Sequence, residues 1–449
     1  MKKTILYGAL ICALTINLIV GAQVYLADVK GREADDPEWN YKLFVNVLER
    51  VRNEYVDGDD LTYQELIYGA LKGMLDTLEP HSEFMDVDKY TELKKDTEGV
   101  FGGVGLVVGV RDDALTVVSP MDGTPAARAG IRPGDRILRI EGVSTEKLGL
   151  QEAVKLLRGE PGTEVNITIL SPASGTTRDV SLERAIIKVE TVKDIDGRQE
   201  YPVWEGGVGY VRLTQFGEQT SSELEAALKK LSKQGMQSLI LDLRGNPGGL
   251  LDQAVEVCKK FLPRKQLIVS TEGRRPSDRS EYRTLSNGRY ASLPLVVLVN
   301  GGSASASEIV AGCLQDTTAE GKSRALVVGE QTFGKGSVQK VLPLDGGLAL
   351  RLTTAKYYTP SHKVIHEQGI TPDRIIPVTD KQQEALLIRF RGSLEGLSPA
   401  EQTLLDENPD VQLERAKRLL RGISIYTQQF EEQERVRRAS DVEKVARVE

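Results

Sequence analysis

The chain has 449 residues, of which 40% are apolar and 27% are charged, as is normal for a soluble globular protein. This length exceeds what one ordinary hydrophobic core accommodates, so we expect two to four domains. With 58 basic and 65 acidic residues the net charge is −7, which excludes the strongly basic surface of a nucleic-acid-binding protein.

The N-terminal segment, residues 1–27, has the pattern of an export signal. Lys2 and Lys3 are followed by no charged residue before Asp28, and roughly 20 apolar residues are enough to cross a bilayer. The lysines would stay inside, and small residues at 20–22 offer a site for signal peptidase. Residues 1–27 are therefore predicted to be a cleaved signal peptide or a retained transmembrane anchor. Either alternative predicts an exported protein, periplasmic or otherwise extracytoplasmic.

Residues 28–97 are predicted to form a linker followed by a helical N-terminal region. Apolar residues recur every three or four positions from Leu43 to Val51 and again from Leu66 to Leu78. A glycine and two aspartates in sequence mark the turn between these two helices.

Residues 98–185 change to short β-branched runs separated by turns, which predicts one small, strand-rich domain. Its predicted strands are Leu115–Val118, Arg136–Ile140 and Val165–Leu170. Two short helices are also predicted, one with Thr124 as cap and Pro125 at its first position, the other from Gln151 to Leu157.

A glycine loop opens this region and precedes an extended stretch. Its residues are Gly102, Gly103, Val104, Gly105 and Leu106. Successive N–H groups in such a loop can capture a carboxylate. A dinucleotide-binding loop would require a helix after the glycines, so the loop favours carboxylate binding.

Strands and helices alternate through residues 186–380, which predicts an α/β core with a largely parallel sheet. The predicted strands are Tyr210–Leu213, Ser238–Leu243, Leu293–Val299 and Ala325–Val328. The predicted helices are Glu223–Leu231, Gln253–Phe261 and Ser307–Leu314. Residues 381–449 are charged and predicted to be helical, with one helix starting at Asn408-Pro409 before Leu413, Ala416 and Leu420.

A cluster of serines at a strand-to-helix turn is the candidate nucleophile site, with Ser305 at its centre. A serine hydroxyl needs an adjacent base. The three histidines, His81, His362 and His366, do not stand in a familiar order with an aspartate. Lys335, flanked by glycines, is the other candidate, although a surface lysine would show the same pattern. A lysine base requires its pKa to fall by roughly 3 from about 10.4, and burial can supply such a shift.

An acyl-transfer enzyme also needs N–H groups that stabilise an oxyanion. The predicted buried strand at Leu239–Leu243, which is apolar except for Asp242, leads into the glycine turn Arg244–Gly249, which is suited to present backbone N–H groups. A plain strand-to-helix turn is the alternative interpretation.

Together these segments resemble the carboxy-terminal processing peptidases, also called tail-specific proteases, which are Ser-Lys serine peptidases with a PDZ domain. The resemblance covers about three quarters of the chain, Leu43–Pro377. The motifs that carry it are Leu78–Ser82, Ala129–Asp135, Asp242–Gly249, Ser303–Glu308, Phe333–Gln339 and Lys356–Pro360. It implies a multidomain α/β protein: a Clp-protease/crotonase-like protease core, an inserted PDZ domain, and helical N- and C-terminal regions.

The resemblance also implies the roles of individual residues. Ser305 would be the nucleophile, Lys335 the general base, and Gln339 the partner that orients the lysine. The N–H of Ala306, with that of Gly248 or Gly249, would form the oxyanion hole. Ser303 and Ser307 would be structural.

In this family the PDZ domain binds the free C-terminus of a protein substrate and controls the protease site. The resemblance therefore implies that Gly103, Val104, Gly105 and Leu106 bind the carboxylate. Arg158 would couple the PDZ domain to the protease, or simply stabilise the dipole at the end of its helix. No metal or organic cofactor is implied.

The expected activity is that of a serine endopeptidase that cleaves proteins from the C-terminal side. A non-catalytic PDZ adaptor and an esterase with a histidine base are the alternatives. The terminal helices also leave a homodimer open.

Overall fold

The computed structural model describes residues 36–111, 113–121, 123–172, 174–316, 323–390 and 397–423. The predicted signal peptide or membrane anchor lies outside the described residues. Within the described ranges, no helix is both long and apolar enough to cross a bilayer. The chain divides into two compact units, with the boundary between Asp86 and Val87.

The first unit contains α1 (Pro37–Glu54), α2 (Tyr63–Asp76) and β1 (Glu83–Met85). A capping box formed by Thr62 and Glu65 starts α2. These elements confirm the predicted helical N-terminal region. α1 buries none of its residues, and its apolar side chains are largely exposed.

The second unit opens with one helix followed by the predicted strand-rich region. In chain order the elements are α3 (Val87–Glu98), β2 (Val100–Gly103), β3 (Leu106–Arg111), β4 (Ala114–Pro120), α4 (Pro125–Arg128), β5 (Arg136–Ile140), β6 (Val143–Ser144), α5 (Leu150–Leu157), β7 (Glu164–Ser171), β8 (Thr176–Glu183) and β9 (Ala185–Lys188). The main sheet of this region has the order β3-β4-β5-β7-β8, with antiparallel pairs. The strands and helices predicted here are confirmed, with ends that differ by one or two residues.

The α/β core follows. Its elements are β10 (Val192–Lys193), β11 (Val208–Leu213), α6 (Thr220–Lys233), β12 (Ser238–Asp242), α7 (Leu251–Phe261), β13 (Leu267–Gly273), β14 (Ser280–Arg283), β15 (Leu295–Val299), α8 (Ala306–Gln315), β16 (Leu326–Gly329), β17 (Ser337–Pro343), β18 (Ala349–Tyr358) and β19 (Arg374–Ile375). The central sheet has the order β10-β11-β12-β15-β16-β19. From β11 to β19 its strands are parallel, as predicted, and β10 is antiparallel.

The order of the central strands fixes where the site forms. β12, β15 and β16 are neighbours, and every residue of β12 and β15 is buried. The carboxyl ends of parallel strands lie at one edge of the sheet, where α/β proteins place their ligand sites. The glycine turn after β12, the serine cluster after β15 and the lysine loop after β16 therefore meet at that edge.

One face of the central sheet packs against the last helix of the C-terminal region. This region contains α9 (Asp380–Arg389), α10 (Pro399–Glu407) and α11, which covers residues 411–423. Leu413, Ala416 and Leu420 are buried in one cluster with side chains of the central strands. These helices confirm the predicted helical C-terminal region as far as residue 423, and residues 424–449 lie outside the described residues.

A buried charge network joins this region to the turn that follows β12. Arg244 is fully buried, and its Nη2 lies 2.7 Å from Asp242 Oδ2 and 2.8 Å from Asp410 Oδ2. Its Nη1 donates to Gln412 Oε1 at 3.1 Å. Burial alone would lower the pKa of Arg244, but the two carboxylates raise that pKa above its usual range. The guanidinium therefore stays charged and holds the start of α11 against the glycine turn.

A second sheet has the antiparallel order β14-β13-β18-β17 within this unit. β17 is an edge strand and begins two residues after Lys335. The sequence analysis did not predict this sheet.

Candidate active site

A cleft of about 1590 Å³ opens beside the carboxyl edge of the central sheet. Five of the predicted site residues line it, namely Ser305, Lys335, Gln339, Gly248 and Gly249. No histidine is among the described residues that line this cleft. The candidate lysine therefore lies in the same cleft as the candidate serine, whereas none of the described lining residues is a histidine.

Ser305 stands at the sharp turn between the strand β15 and the helix α8. Its backbone angles, φ 55° and ψ −114°, are rare for a residue with a side chain and cost about 1–3 kcal/mol. The neighbouring serines use their hydroxyls inside the fold: Ser303 Oγ donates to the carbonyl of Leu243, and Ser307 Oγ donates to that of Asn246. Ser305 is the member of the cluster that lines the cleft.

The glycine turn lies directly against this serine. A Cβ atom on Gly248 would come within 2.8 Å of the Ser305 Cβ, and both glycines have positive φ, 101° at Gly248 and 144° at Gly249. Only glycine fits such a close approach in that backbone region.

The two glycines differ in what their N–H groups already bind. The N–H of Gly248 donates to Asn246 Oδ1 at 2.9 Å. The N–H groups of Gly249 and Ala306 have no hydrogen-bond partner among the described residues. They are available to a bound oxyanion, whereas that of Gly248 is engaged.

Asn246 is a positioning residue that the sequence analysis did not identify. Its amide oxygen holds Gly248, its amide nitrogen donates to the carbonyl of Leu213, and its own carbonyl accepts from Ser307 Oγ. Through its side chain and its backbone carbonyl, this one buried residue links the glycine turn, the central sheet and the helix α8. An asparagine next to Pro247 resembles any turn residue in sequence, so no local signal marks it.

Glu308 is the second missed residue, and it connects the serine to the lysine loop. Its Oε2 accepts from the backbone N–H groups of Ser305 and Lys335, each at 2.8 Å. Its Oε1 accepts from the N–H of Gly334 at 2.7 Å and from Thr332 Oγ1 at 2.6 Å. The backbones of the candidate nucleophile and base therefore meet at a single oxygen atom.

The Glu308 side chain is completely buried. Burial raises its pKa above the usual value, although the four donors act in the opposite direction. A charged residue among the apolar residues of α8 is the sequence signal that could have identified it.

The loop that carries Lys335 is packed closely against a neighbouring segment. A Cβ atom on Gly336 would lie 2.1 Å from the backbone nitrogen of His366, so a side chain there has no room. The carbonyl of Gly334 accepts from the N–H of Glu367 at 2.7 Å. These contacts fix the backbone on both sides of the lysine.

Gln339 lies in the wall of the same cleft, on β17. Its amide nitrogen donates to Ser337 Oγ at 2.8 Å and to Thr353 Oγ1 at 3.2 Å. These bonds fix the orientation of the side chain and use only its amide nitrogen. The predicted contact with Lys335 is therefore assigned to the amide oxygen.

The predicted peptide-binding loop lies at the edge strand β3, next to the helix α5. The N–H groups of Val104 and Gly105 have no hydrogen-bond partner within the described part of the chain. Gly105 has φ 77°, and a Cβ atom on it would lie 2.2 Å from Thr124 Cβ, so the loop depends on glycine there. The loop therefore presents two free donors, as carboxylate binding requires.

Arg158 connects the predicted PDZ domain to α3. Its Nη1 lies 3.2 Å from Asp96 Oδ1 and 3.6 Å from Glu92 Oε1, and its guanidinium stacks 4.3 Å from the centre of the Phe101 ring. Asp96 also lines the cleft that contains Ser305 and Lys335. A movement of the PDZ domain that displaces Arg158 would therefore act on a wall of the cleft.

Comparison with known proteins identifies relatives that cover most of the chain. The model of peptidase family S41 matches residues 207–376, and the PDZ domain model matches residues 116–171. The carboxy-terminal-processing protease of Bartonella bacilliformis is 43% identical over 396 residues, covering 84% of this chain and 88% of that protein. The carboxyl-terminal-processing protease of Synechocystis sp. is 37% identical over 385 residues, covering 81% and 87%.

A solved structure of a Bacteroides fragilis protein assigned to the S41 proteases shares the fold. It covers 84% of this chain and 97% of its own, with a TM-score of 0.50 and 18% identity.

Proposed function

The chain belongs to the carboxy-terminal processing proteases, which are serine-type peptidases of family S41 with a PDZ domain, and we propose that it is an endopeptidase with a Ser-Lys mechanism. Its PDZ domain binds the C-terminus of a protein substrate, and the substrate is cleaved through an acyl-enzyme on Ser305. The observation that carries this proposal is the carboxylate of Glu308, which joins the backbones of Ser305 and Lys335 beside one cleft.

The proposed reaction begins when the neutral amine of Lys335 takes the proton of Ser305 Oγ as this oxygen attacks the scissile carbonyl carbon. The carbonyl oxygen becomes an oxyanion. The lysine then gives the proton to the leaving amine, and the C–N bond breaks to leave an ester on Ser305. A water molecule loses a proton to Lys335, attacks the ester, and releases the new C-terminus while Ser305 regains its proton.

We assign the oxyanion hole to the N–H groups of Ala306 and Gly249. Both are without another partner among the described residues. The N–H of Gly248 is held by Asn246, so this glycine supports the turn and does not bind the oxyanion. Loss of one such donor typically costs about 10² to 10³ in rate.

The two alternative functions have less support. A histidine-based esterase needs an imidazole beside Ser305, and none is among the described lining residues of the cleft. A non-catalytic adaptor would not require the strained backbone at Ser305 or the unpaired N–H groups of Ala306 and Gly249, so these features favour a catalytic site.

The place of action is also part of the proposal. We propose an extracytoplasmic enzyme, because residues 1–27 combine two lysines with an uncharged run. The homodimer stays a prediction, and the exposed apolar side chains of α1 are the surface on which it would rest.

Amidation of a substrate's C-terminus is expected to slow its cleavage by about tenfold or more, because the loop at Val104 and Gly105 would lose charge-assisted hydrogen bonds to a carboxylate. Rates of cleavage would be measured for one unfolded protein prepared with a free and with an amidated C-terminus. The Ser305→Ala variant serves as the control that attributes cleavage to this site. Equal rates for the two substrates would remove carboxylate recognition and leave the proposed chemistry intact.

Arg158→Ala is expected to lower the turnover of a protein with a free C-terminus by several-fold, because α3 loses its ion pairs with the PDZ domain. Arg139→Ala is the matched control, since Arg139 is an exposed arginine on β5 of the same predicted domain. The measurement compares turnover and thermal stability of both variants. If turnover is unchanged while stability falls, Arg158 serves only the end of its helix.

A further inference from the structure

We propose that Cys258 and Cys313 form a disulfide that ties the helix α7 to the helix α8 in the exported enzyme. The inference rests on the proposed place of action, because a structural disulfide persists in an oxidising compartment outside the cytoplasm. The bond would link the two helices whose first turns carry the proposed oxyanion donors.

The cysteine content of the chain leaves one pair for such a bond. The chain has three cysteines, and Cys12 lies within the predicted export signal at residues 1–27. Cys258 lies on α7 and Cys313 on α8. Both are buried, and each carries a free thiol in the structure. An even number of cysteines in the exported part of a chain favours a disulfide.

The helices α7 and α8 start at the same edge of the central sheet and run side by side. α7 follows β12 and α8 follows β15, and these two strands are parallel neighbours. Buried residues of both helices belong to one core cluster that also contains Leu241 of β12 and Val297 of β15. The two helices are in contact with each other. They therefore lie on one face of the sheet and point in the same direction.

The two cysteines stand at the same level of this helix pair. Each comes seven residues after the first residue of its helix. With a rise of about 1.5 Å per residue, each lies about 10 Å along its helix axis. The starts of the helices are held together, since a Cβ atom on Gly248 would come within 2.8 Å of the Ser305 Cβ. Equal distances from a shared starting point place the two thiols opposite each other.

The side chains agree with this register, because the thiols of Cys258 and Cys313 share a hydrogen bond. Axes of packed helices are about 8–10 Å apart and the Cα radius is about 2.3 Å, so Cα atoms that face each other lie about 4–6 Å apart. Disulfides span Cα separations of about 4.4–6.8 Å. A bond between these two sulfur atoms therefore needs little movement of the helices.

The oxidation is a thiol–disulfide exchange with a disulfide-bearing oxidant of the compartment. The thiolate of one cysteine attacks the oxidant's disulfide, and the second thiolate then attacks the mixed disulfide and joins the two Sγ atoms. The two thiols lose two protons and two electrons in total. The oxidant gains them and leaves as a dithiol.

The surroundings of the pair determine when the bond forms. The pKa of the Cys313 thiol is raised above its usual value, first by the hydrogen bond with Cys258 and then by burial. Only a thiolate attacks a disulfide, so exchange is slow once both residues are buried. The bond therefore forms while the chain folds, and burial then protects it from reductants.

The disulfide would stabilise the core that holds the site. The loop that it closes contains β13, β14, β15 and Ser305. A cross-link stabilises mainly by restricting the unfolded chain, and more strongly for a longer loop. The N–H of Gly249 stands two residues before α7, and Ala306 is the first residue of α8. The bond thus keeps both proposed oxyanion donors on one covalently linked helix pair.

The first test is the thiol state of the enzyme isolated from the extracytoplasmic fraction of cells. The protein is denatured in excess N-ethylmaleimide without reductant, digested, and analysed by mass spectrometry. We expect one linked pair of peptides, containing Cys258 and Cys313, that separates on reduction. If both cysteines of the exported enzyme carry N-ethylmaleimide, the inference is wrong while the proposed location and chemistry stand. If the enzyme is found in the cytoplasm with both cysteines alkylated, the proposed location and the inference are both wrong.

The second test is urea unfolding at equilibrium, followed by circular dichroism with and without a strong reductant. The control is the double variant with Cys258→Ala and Cys313→Ala, which cannot form the bond. We expect reductant to lower the unfolding midpoint of the native enzyme by about 1 M or more, and that of the double variant by less than about 0.2 M. Equal shifts in the two proteins overturn the inference. If the double variant does not fold, the mass spectrum of the native enzyme decides.

Discussion

Replacing Lys335 by alanine is expected to lower kcat/KM by roughly 10² to 10⁴, the contribution that a positioned general base makes. The reason is that Lys335 is the group to which removal of the proton from Ser305 Oγ is assigned. Lys335→Arg is the informative companion, because arginine keeps the positive charge and much of the length but does not lose its proton. We expect it to be as inactive as Lys335→Ala.

The measurement is cleavage of an unfolded protein, with thermal melting to show that each variant is folded. Lys356→Ala is the control, since Lys356 is exposed on β18 and does not line the cleft. Only the neutral amine accepts a proton, so the rate of acylation should also fall as the pH is lowered. Retained activity in Lys335→Arg would show that the side chain acts through its charge and is not the base.

The central sheet and its helices could be predicted from sequence because each element carries its own signal. β15 is a continuous apolar run of the length of a buried strand, β12 has three consecutive apolar residues at its centre, and α6 and α7 repeat apolar residues with the period of a helix. Parallel strands place their carboxyl ends together. The relation between Ser305, Lys335 and Gly249 therefore follows largely from strand order, and the family membership expected from the motifs is confirmed by the relatives.

The second sheet was not predictable in the same way. β13 pairs with β18, which is about 85 residues later in the chain, and the alternation of β17 gives no indication of its partner. The ion pair of Arg244 could not be predicted for the same reason, because its partner Asp410 lies 166 residues later in the chain. Contacts of this kind are properties of the assembled fold, and no local periodicity carries them.

Glu308 lies between these cases. The sequence places Glu308 next to the serine cluster, but its role depends on contacts with the loop at Gly334 and Lys335, which only the fold brings to it.

The buried carboxylate of Glu308 accepts from four donors and so holds two loops together. The pH dependence of the free energy of unfolding would measure its contribution to stability. Burial raises the pKa of Glu308 in the folded protein. The stability that this group contributes is therefore fully present below the unfolded pKa of about 4.3, and is lost as the pH rises through the folded pKa.

Glu308→Ala is expected to lower kcat by about 10²-fold. Three backbone N–H groups and one hydroxyl lose their acceptor, so the loops of Ser305 and Lys335 can move apart. A displacement of about 1 Å between reacting groups is enough to lower a rate by that factor. KM for a peptide should change little, since Glu308 is buried and is not among the residues that line the cleft. Glu308→Gln keeps the size and one acceptor, so its loss should be intermediate, and its stability should lack the pH dependence just described. Kinetics at a pH where all variants are fully folded would separate positioning from stability. A variant that loses stability but keeps the native kcat would show that the carboxylate holds the fold together and has no part in aligning the nucleophile with its base.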